Sequence, residues 1–214
     1  MYNFVFKRIL DIVAAIIVSL ILVVPMIIVV IWIKTDSKGP ALFKQLRSGK
    51  NRKAFVVLKF RTMSVDAPND SPTSSFKNSH SYITKSGKIL RKLSIDELPQ
   101  LLNVLMGDMS MVGPRPVVLK ELNLLDLRDQ YGANTVKPGI TGWAQVNGRD
   151  ELGDGLKSSL DGVYAQNVSL LMDLKCIILT VKAVLTVSGH REGHELGQNS
   201  VSRSFDHVLT PDEA

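Results

Sequence analysis

The sequence predicts an α+β fold in which an N-terminal re-entrant membrane helix carries a mostly helical cytoplasmic domain with a small sheet. Three observations predict it. Residues Ile12 to Ile33 form a 22-residue window without a single charge, interrupted in its apolar character only by Ser19 and Pro25. Ala54-Phe55-Val56-Val57-Leu58 is a short run of the β-branched and aromatic residues that suit a sheet. Leu98, Leu101, Leu102 and Leu105 recur at i, i+3, i+4 and i+7, the period of an amphipathic helix. The chain has 214 residues, with 26 Lys+Arg against 20 Asp+Glu and a net charge of +6. That length suits one compact domain plus an extension. A lone Cys176 cannot close an intramolecular disulfide, so nothing in the chain needs an oxidising compartment.

Three models compete for Ile12–Ile33: a cleaved signal peptide, a spanning helix and a membrane-inserted hairpin. The run is long for a signal peptide and ends in Trp32-Ile33-Lys34-Thr35-Asp36, with no small-residue cleavage pattern. A straight helix of this length could cross roughly 30 Å of hydrocarbon. Yet Lys7 and Arg8 precede the run, and Lys34, Lys38, Lys44, Arg47, Lys50, Arg52 and Lys53 follow it. Basic residues on both flanks resist translocation, so both ends are expected on the cytoplasmic side. Pro25, which removes a helix hydrogen bond, supplies a place for the chain to turn back. The charges favour the re-entrant form.

The remaining elements follow in order. The strand at 54–58 runs into Lys59-Phe60-Arg61-Thr62-Met63, and residues 64–86, rich in Ser, Asn, Pro and Thr, predict a surface loop. Gly87 to Leu93 predicts a short helix bearing Lys88, Arg91 and Lys92. Ser94-Ile95-Asp96-Glu97 has the form of a capping box for the leucine-periodic helix ending near Gly107. A Pro/Gly-punctuated loop spans 108–116, a helix Val117–Tyr131, and a turn at 137–143 leads to a short strand through Val146. Leu170–Val187 is a further amphipathic helix with Lys175 and Lys182 on one side. The polar tail 196–214 is expected to be disordered.

Asp96 and Glu97 are the candidate chemistry. Adjacent carboxylates at a helix start stay ionised beside free N–H groups, and an ionised carboxylate near a phosphoanhydride is a possible covalent nucleophile. Helix capping explains the same residues without any chemistry. Arg115, held between Pro114 and Pro116, together with Lys59, Arg61, Arg91 and Lys92, offers cations for phosphate. The same cations suit anionic lipid headgroups, which is the reading of a non-catalytic, basic membrane-surface adaptor. No GxxxxGK[ST] or GxGxxG loop is present, so ordinary NTPase or dinucleotide chemistry lacks support. His190 and His194, flanked by glycines in the polar tail, make a poor zinc site. Cys176 in an apolar helix reads as a buried hydrophobe.

Four ordered blocks then carry a resemblance: Lys59-Phe60-Arg61-Thr62-Met63; Leu93-Ser94-Ile95-Asp96-Glu97-Leu98-Pro99-Gln100; Gly107-Asp108-Met109-Ser110-Met111-Val112-Gly113-Pro114-Arg115-Pro116; and Lys137-Pro138-Gly139-Ile140-Thr141-Gly142-Trp143-Ala144-Gln145-Val146-Asn147-Gly148-Arg149. With Asp173-Leu174-Lys175 and Glu192-Gly193-His194 they closely resemble the bacterial sugar transferases, the monotopic phosphoglycosyltransferases, over roughly residues 1–195. The resemblance implies a membrane-embedded helix over 1–34 and a catalytic domain over 35–195, on the cytoplasmic face of the bacterial inner membrane. It implies transfer of a phosphosugar from a UDP-sugar to a polyprenol phosphate, usually undecaprenyl phosphate, with release of UMP and a need for Mg²⁺. By the same resemblance Asp96 is the nucleophile and metal ligand, and Glu97 its partner. Lys59, Arg91, Arg115, Asp161 and Asp173 then bind substrate or phosphate. The family breaks its membrane helix at a Ser-Pro pair, whereas Val24 precedes Pro25 here. Expected partners are the UDP-sugar, the polyprenol phosphate and membrane lipid, with no nucleic acid. No sustained heptad predicts an oligomer.

Overall fold

In the computed structural model, residues 4–67, 79–148 and 152–185 are described. His190, His194, Arg149, the tail 196–214 and residues 68–78 of the polar stretch lie outside them. Helix α1 (Phe4–Asp36) runs as one helical element through Pro25. Its middle is apolar and open, with Leu20 71%, Ile21 69% and Ile28 61% exposed. It is long and apolar enough to cross a membrane. Both of its ends, however, are tied to the same domain. At the N-terminal end Lys7 Nζ donates to Asp173 Oδ2 (2.6 Å), and Arg8 donates to the carbonyls of Val104 and Leu105. Asp11 accepts from Ser110 Oγ and from Met111 N. At the other end Asp36 accepts from Ser86 N and Oγ, and Arg61 donates to Ser37.

The expected strand extends over β2 (Ala54–Phe60) and pairs antiparallel with β1 (Leu42–Ser48), in register from Leu42↔Phe60 to Ser48↔Ala54. The basic stretch after α1 thus hides a strand, whose partner alone was legible. Helix α2 (Lys85–Lys92) starts two residues earlier than expected, because Thr84 Oγ1 accepts from Gly87 N at its first turn. Helix α3 (Gln100–Met106) carries the expected leucines, and β3 (Ser110–Val112) pairs in parallel with β4 (Gly139–Thr141). Here the chain crosses itself closely: a Cβ on Gly139 would fall 2.1 Å from Gly113 N. Only glycine lets these two segments meet.

The helix expected over Val117–Tyr131 is trimmed to α4 (Leu122–Gln130). Val117 and Val118 instead dock on β1, where Ser48 N donates to Val117 O and Val118 bridges Arg47. Edge pairing satisfies backbone groups that a helix start would leave open. The strand expected through Val146 stops at Thr141, and a helical turn α5 (Trp143–Val146) replaces its end. Helix α6 (Asp154–Gln166) was not anticipated, its polar, Gly-bearing face masking the buried Leu160 and Tyr164. Helix α7 begins at Leu170 as expected and is described to Leu185. Cys176 is fully buried, the environment expected for it.

One core gathers Val112, Trp143, Leu160, Tyr164 and Cys176. A second joins Ala15 of α1 to Phe55, Val57, Leu101 and Val104. A third joins Val29 and Ile33 of α1 to Phe60 and Leu90, with Ile95 and Leu98 packed against it. Helix α1 is therefore part of the fold at both ends, not an appendage.

Candidate active site

The capping box does not form. Ser94 takes a left-handed conformation (φ 56°, ψ 19°) and makes no capping bond; Ile95–Glu97 is a 3-10 turn, and Pro99, without a capping side chain, precedes α3. A non-glycine residue held at positive φ is a local cost that surrounding contacts must offset. Those contacts are the packing of Ile95 and Leu98 onto the Val29, Ile33, Phe60 and Leu90 core. The turn is thus clamped by its apolar neighbours, which frees Glu97 for other partners.

Lys59 reaches this turn because α3 fixes the strand beside it. Asn103, fully buried, accepts from Leu58 N (2.9 Å) and donates to Val56 O (2.7 Å), locking β2 to α3. Lys59 Nζ then lies 2.7 Å from Glu97 Oε1, and Arg115 Nη2 lies 2.9 Å from the same oxygen. Arg115 is positioned through its backbone. Its carbonyl accepts from Arg128 Nη1 (2.9 Å), and the next carbonyl, of Pro116, accepts from Arg47 Nη1 (3.3 Å). Arg91 donates to Thr62 Oγ1, and its charge acts on Asp96.

The two carboxylates are treated oppositely. Burial alone would raise Glu97, but Arg115 and Lys59 outweigh it and hold its carboxyl well below the usual carboxylate range. Among the described residues Asp96 makes no hydrogen bond or ion pair. Burial pushes it up to about 6, with Glu97 adding to the rise and Lys59, Arg91 and Arg115 opposing it. Desolvation raises a carboxyl and paired cations lower it, so the pair is split by who holds the cations. At neutral pH Asp96 is still mostly ionised, yet it is far more basic than an ordinary aspartate. A raised carboxylate beside a cationic cluster has the basicity that a nucleophile or base needs, and a fully paired one is held in place.

Two expected substrate ligands lie elsewhere. Asp161 is 1% exposed and accepts from Arg128 Nε (2.9 Å) and Nη2 (2.5 Å), so it stands behind Arg115 and holds the arginine that supports it. Asp173 is 5% exposed and accepts from Lys7, and its Oδ1 and Val112 O share the single proton of Tyr164 Oη, at 2.7 and 2.8 Å. It ties α7, α6 and β3 to the start of α1. Asp96, Glu97, Lys59, Arg91 and Arg115 do converge. Arg47 and Gln100, neither of them expected as a ligand, line the cleft beside Lys59 and Arg115. Arg47 was hidden among the basic residues after α1, and Arg128 among the polar positions of α4.

The model of the bacterial sugar transferase family matches residues 2–187, nearly the whole described chain. The chain belongs to the bacterial sugar transferases. This sugar transferase is 40% identical over 202 residues to the sugar transferase EpsL of Bacillus subtilis, covering 94% of this chain and 98% of that one. It is 42% identical over 193 residues to a UDP-glucose:undecaprenyl-phosphate glucose-1-phosphate transferase of Klebsiella pneumoniae, covering 84% of this chain and 40% of that protein. It is 36% identical over 195 residues to a UDP-N-acetylgalactosamine-undecaprenyl-phosphate N-acetylgalactosaminephosphotransferase of Aeromonas hydrophila, covering 89% of this chain and 46% of that one. The chain thus spans less than half of the latter two proteins. Their names carry different sugars at similar identity, so the level of identity does not select the sugar.

Proposed function

We propose that this chain transfers a phosphosugar from a UDP-sugar to a polyprenol phosphate, undecaprenyl phosphate being the acceptor in the names of its relatives. The observation that carries the mechanism is the asymmetry between Glu97, locked by Lys59 and Arg115, and Asp96, raised and unpaired. An Asp96 carboxylate oxygen attacks the sugar-bearing phosphorus. The Asp96 O–P bond forms, the bridging P–O bond of the diphosphate breaks, and UMP leaves with that bond's electron pair. A phosphate oxygen of the polyprenol phosphate then attacks the same phosphorus and releases Asp96 as a carboxylate. Lys59, Arg91 and Arg115 offset the charge of the diphosphate during both steps.

Mg²⁺ fits the donor set in a limited way. Among the described residues no group of three or more His, Cys, Asp or Glu could hold a metal. Mg²⁺ often rests on one or two carboxylates and the substrate's own phosphates, and Asp96 is the carboxylate open to it here. When bound, it would neutralise diphosphate charge.

The topology belongs to the same reading. Helix α1 dips into the membrane with both ends on one face, since polar bonds tie both ends to one domain. A spanning helix would separate them by roughly 30 Å of hydrocarbon. The basic residues flanking α1 put that face in the cytoplasm. Cysteines placed at Lys38 and at Asn3, which lies outside the described residues, should label from one side of the membrane in a Cys176→Ser background. Labelling from opposite sides would sink the re-entrant form.

The adaptor alternative is disfavoured because binding anionic lipid needs no desolvated, unpaired carboxylate beside its cations. The deciding experiment is intact-protein mass spectrometry after incubation with a panel of UDP-sugars and Mg²⁺, without polyprenol. One donor should leave one phosphosugar on the protein and release UMP, and Asp96→Asn should leave none. An adduct on Asp96→Asn would refute the nucleophile, and no UMP from any sugar, with or without polyprenol phosphate, would refute the transferase reading.

A further inference from the structure

The cleft beside the paired carboxylates is lined by Arg47, Val57, Lys59, Gln100, Arg115 and Pro116. Two of its three cations, Lys59 and Arg115, are already bonded to Glu97. Arg47 is not. Its Nε and Nη2 donate to the neutral Gln45 Oε1 (2.9 and 2.6 Å), and its Nη1 donates to the carbonyl of Pro116 (3.3 Å). Glu121 and Glu97 act on it only at a distance, while burial and the neighbouring charge of Arg115 push its pKa down to about 10. It therefore remains cationic at neutral pH in a place that disfavours a second cation. A half-buried guanidinium held by neutral acceptors beside another guanidinium is a costly arrangement without an anion, and its planar fork matches two phosphate oxygens.

The lining of the cleft gives the position. Lys59 and Arg115 line it and hold Glu97, Arg47 lines it without a bond to either carboxylate, and Asp96 is not among its lining residues. In-line displacement sends the leaving group away from the attacking oxygen. We infer that Arg47 binds the phosphate that departs with the nucleoside, in the cleft it lines with Arg115. The inference rests on the proposed transferase reading and adds to it the residue that grips the leaving nucleotide.

The test uses the full chain in detergent, with UMP and uridine as calorimetric probes and the active donor of the panel for kinetics. Arg47→Gln should weaken UMP binding and raise the donor KM by about 10- to 100-fold, the worth of a charge-assisted pair, with kcat changed much less. Uridine, lacking the phosphate, should bind both proteins alike. Arg47→Lys should fall between, keeping the charge but losing the fork, and serves if the Gln variant does not fold. Unchanged UMP affinity and KM would overturn the inference. So would an equal loss for uridine, which would mean a structural role, or a fall in kcat at constant KM. A wild-type chain that releases no UMP fails the transferase reading, while the comparison of UMP with uridine still decides on Arg47.

Discussion

Asp96→Asn should abolish turnover and yet stabilise the protein, with a gain that depends on pH. Burial raises the Asp96 carboxyl from 3.8 to about 6. A carboxyl raised on folding makes the native state hold more protons than the unfolded chain between those two values. Stability is then fully present below the unfolded value and is lost as pH rises through the folded one. About two pH units at about 1.4 kcal/mol each set a ceiling of about 3 kcal/mol at neutral pH. The side chain keeps some contact with water, so about 1–3 kcal/mol is expected. Asparagine resembles the protonated carboxyl and escapes this cost. For a chain of this size the gain corresponds to roughly 3–10 °C in Tm near pH 7.5 and should shrink severalfold near pH 4. The assay is thermal unfolding followed by intrinsic fluorescence, in detergent without divalent cations, at the two pH values and equal ionic strength. A Tm shift of the same size at both pH values would refute the raised carboxyl. So would a less stable variant at neutral pH.

The remaining predictions concern the cations and their supports. On the proposed mechanism, in which only the carboxylate attacks, the donor kcat/KM should rise with pH and reach half its plateau near the Asp96 value of about 6. Glu97→Gln should lower the rate by roughly 10²-fold by releasing Lys59 and Arg115, and should move that limb to lower pH, because the Glu97 charge helps raise Asp96. A limb that stays in place would separate the pair electrostatically. Asp161→Asn leaves Arg128 buried without its carboxylate, at a cost of about 3–5 kcal/mol in thermal or denaturant unfolding. A loss below about 1 kcal/mol, the worth of an exposed pair, would mean the pair is not the anchor of Arg115 described above.

How much of this was legible depended on whether a signal was local. The leucine period of α3 and the β-branched run of β2 are patterns within a few residues, and both elements form where expected. The convergence of Lys59, Arg91, Asp96, Glu97 and Arg115 was legible only through a resemblance spanning four blocks, because three-dimensional pairing leaves no periodic trace. The capping box failed for a tertiary reason. Ser-x-x-Glu fits a cap, but Lys59 and Arg115 offer the Glu97 carboxylate more than a backbone N–H does, and Ser94 turns left-handed. Strand β1 and helix α6 were missed because alternating Lys, Gln and Arg, or Asp, Gly and Ser, resemble surface until a partner covers one face. Asp161 and Asp173, expected on the resemblance to bind substrate or phosphate, are bonded in the fold to Arg128 and Lys7.

On the 3-10 turn the two adjacent carboxylates stand in different surroundings: Glu97 is held by Lys59 and Arg115, while Asp96 bonds to neither and still feels their charge. In a continuous α-helix from Ser94, Glu97 would share the cap and the cations would lose their anchor. What holds the turn in this form is apolar: Ile95 and Leu98 sit against Val29 and Ile33 of α1, beside Phe60 and Leu90. The long apolar helix thus also shapes the turn that bears Asp96. On the proposed topology this sets Asp96 near the end of α1 that leaves the bilayer, at the level where a polyprenol phosphate presents its headgroup. An enzyme joining a water-soluble nucleotide sugar to a lipid phosphate needs its reacting groups at that boundary, and on the proposed reading the packing of α1 both builds the site and sets it there.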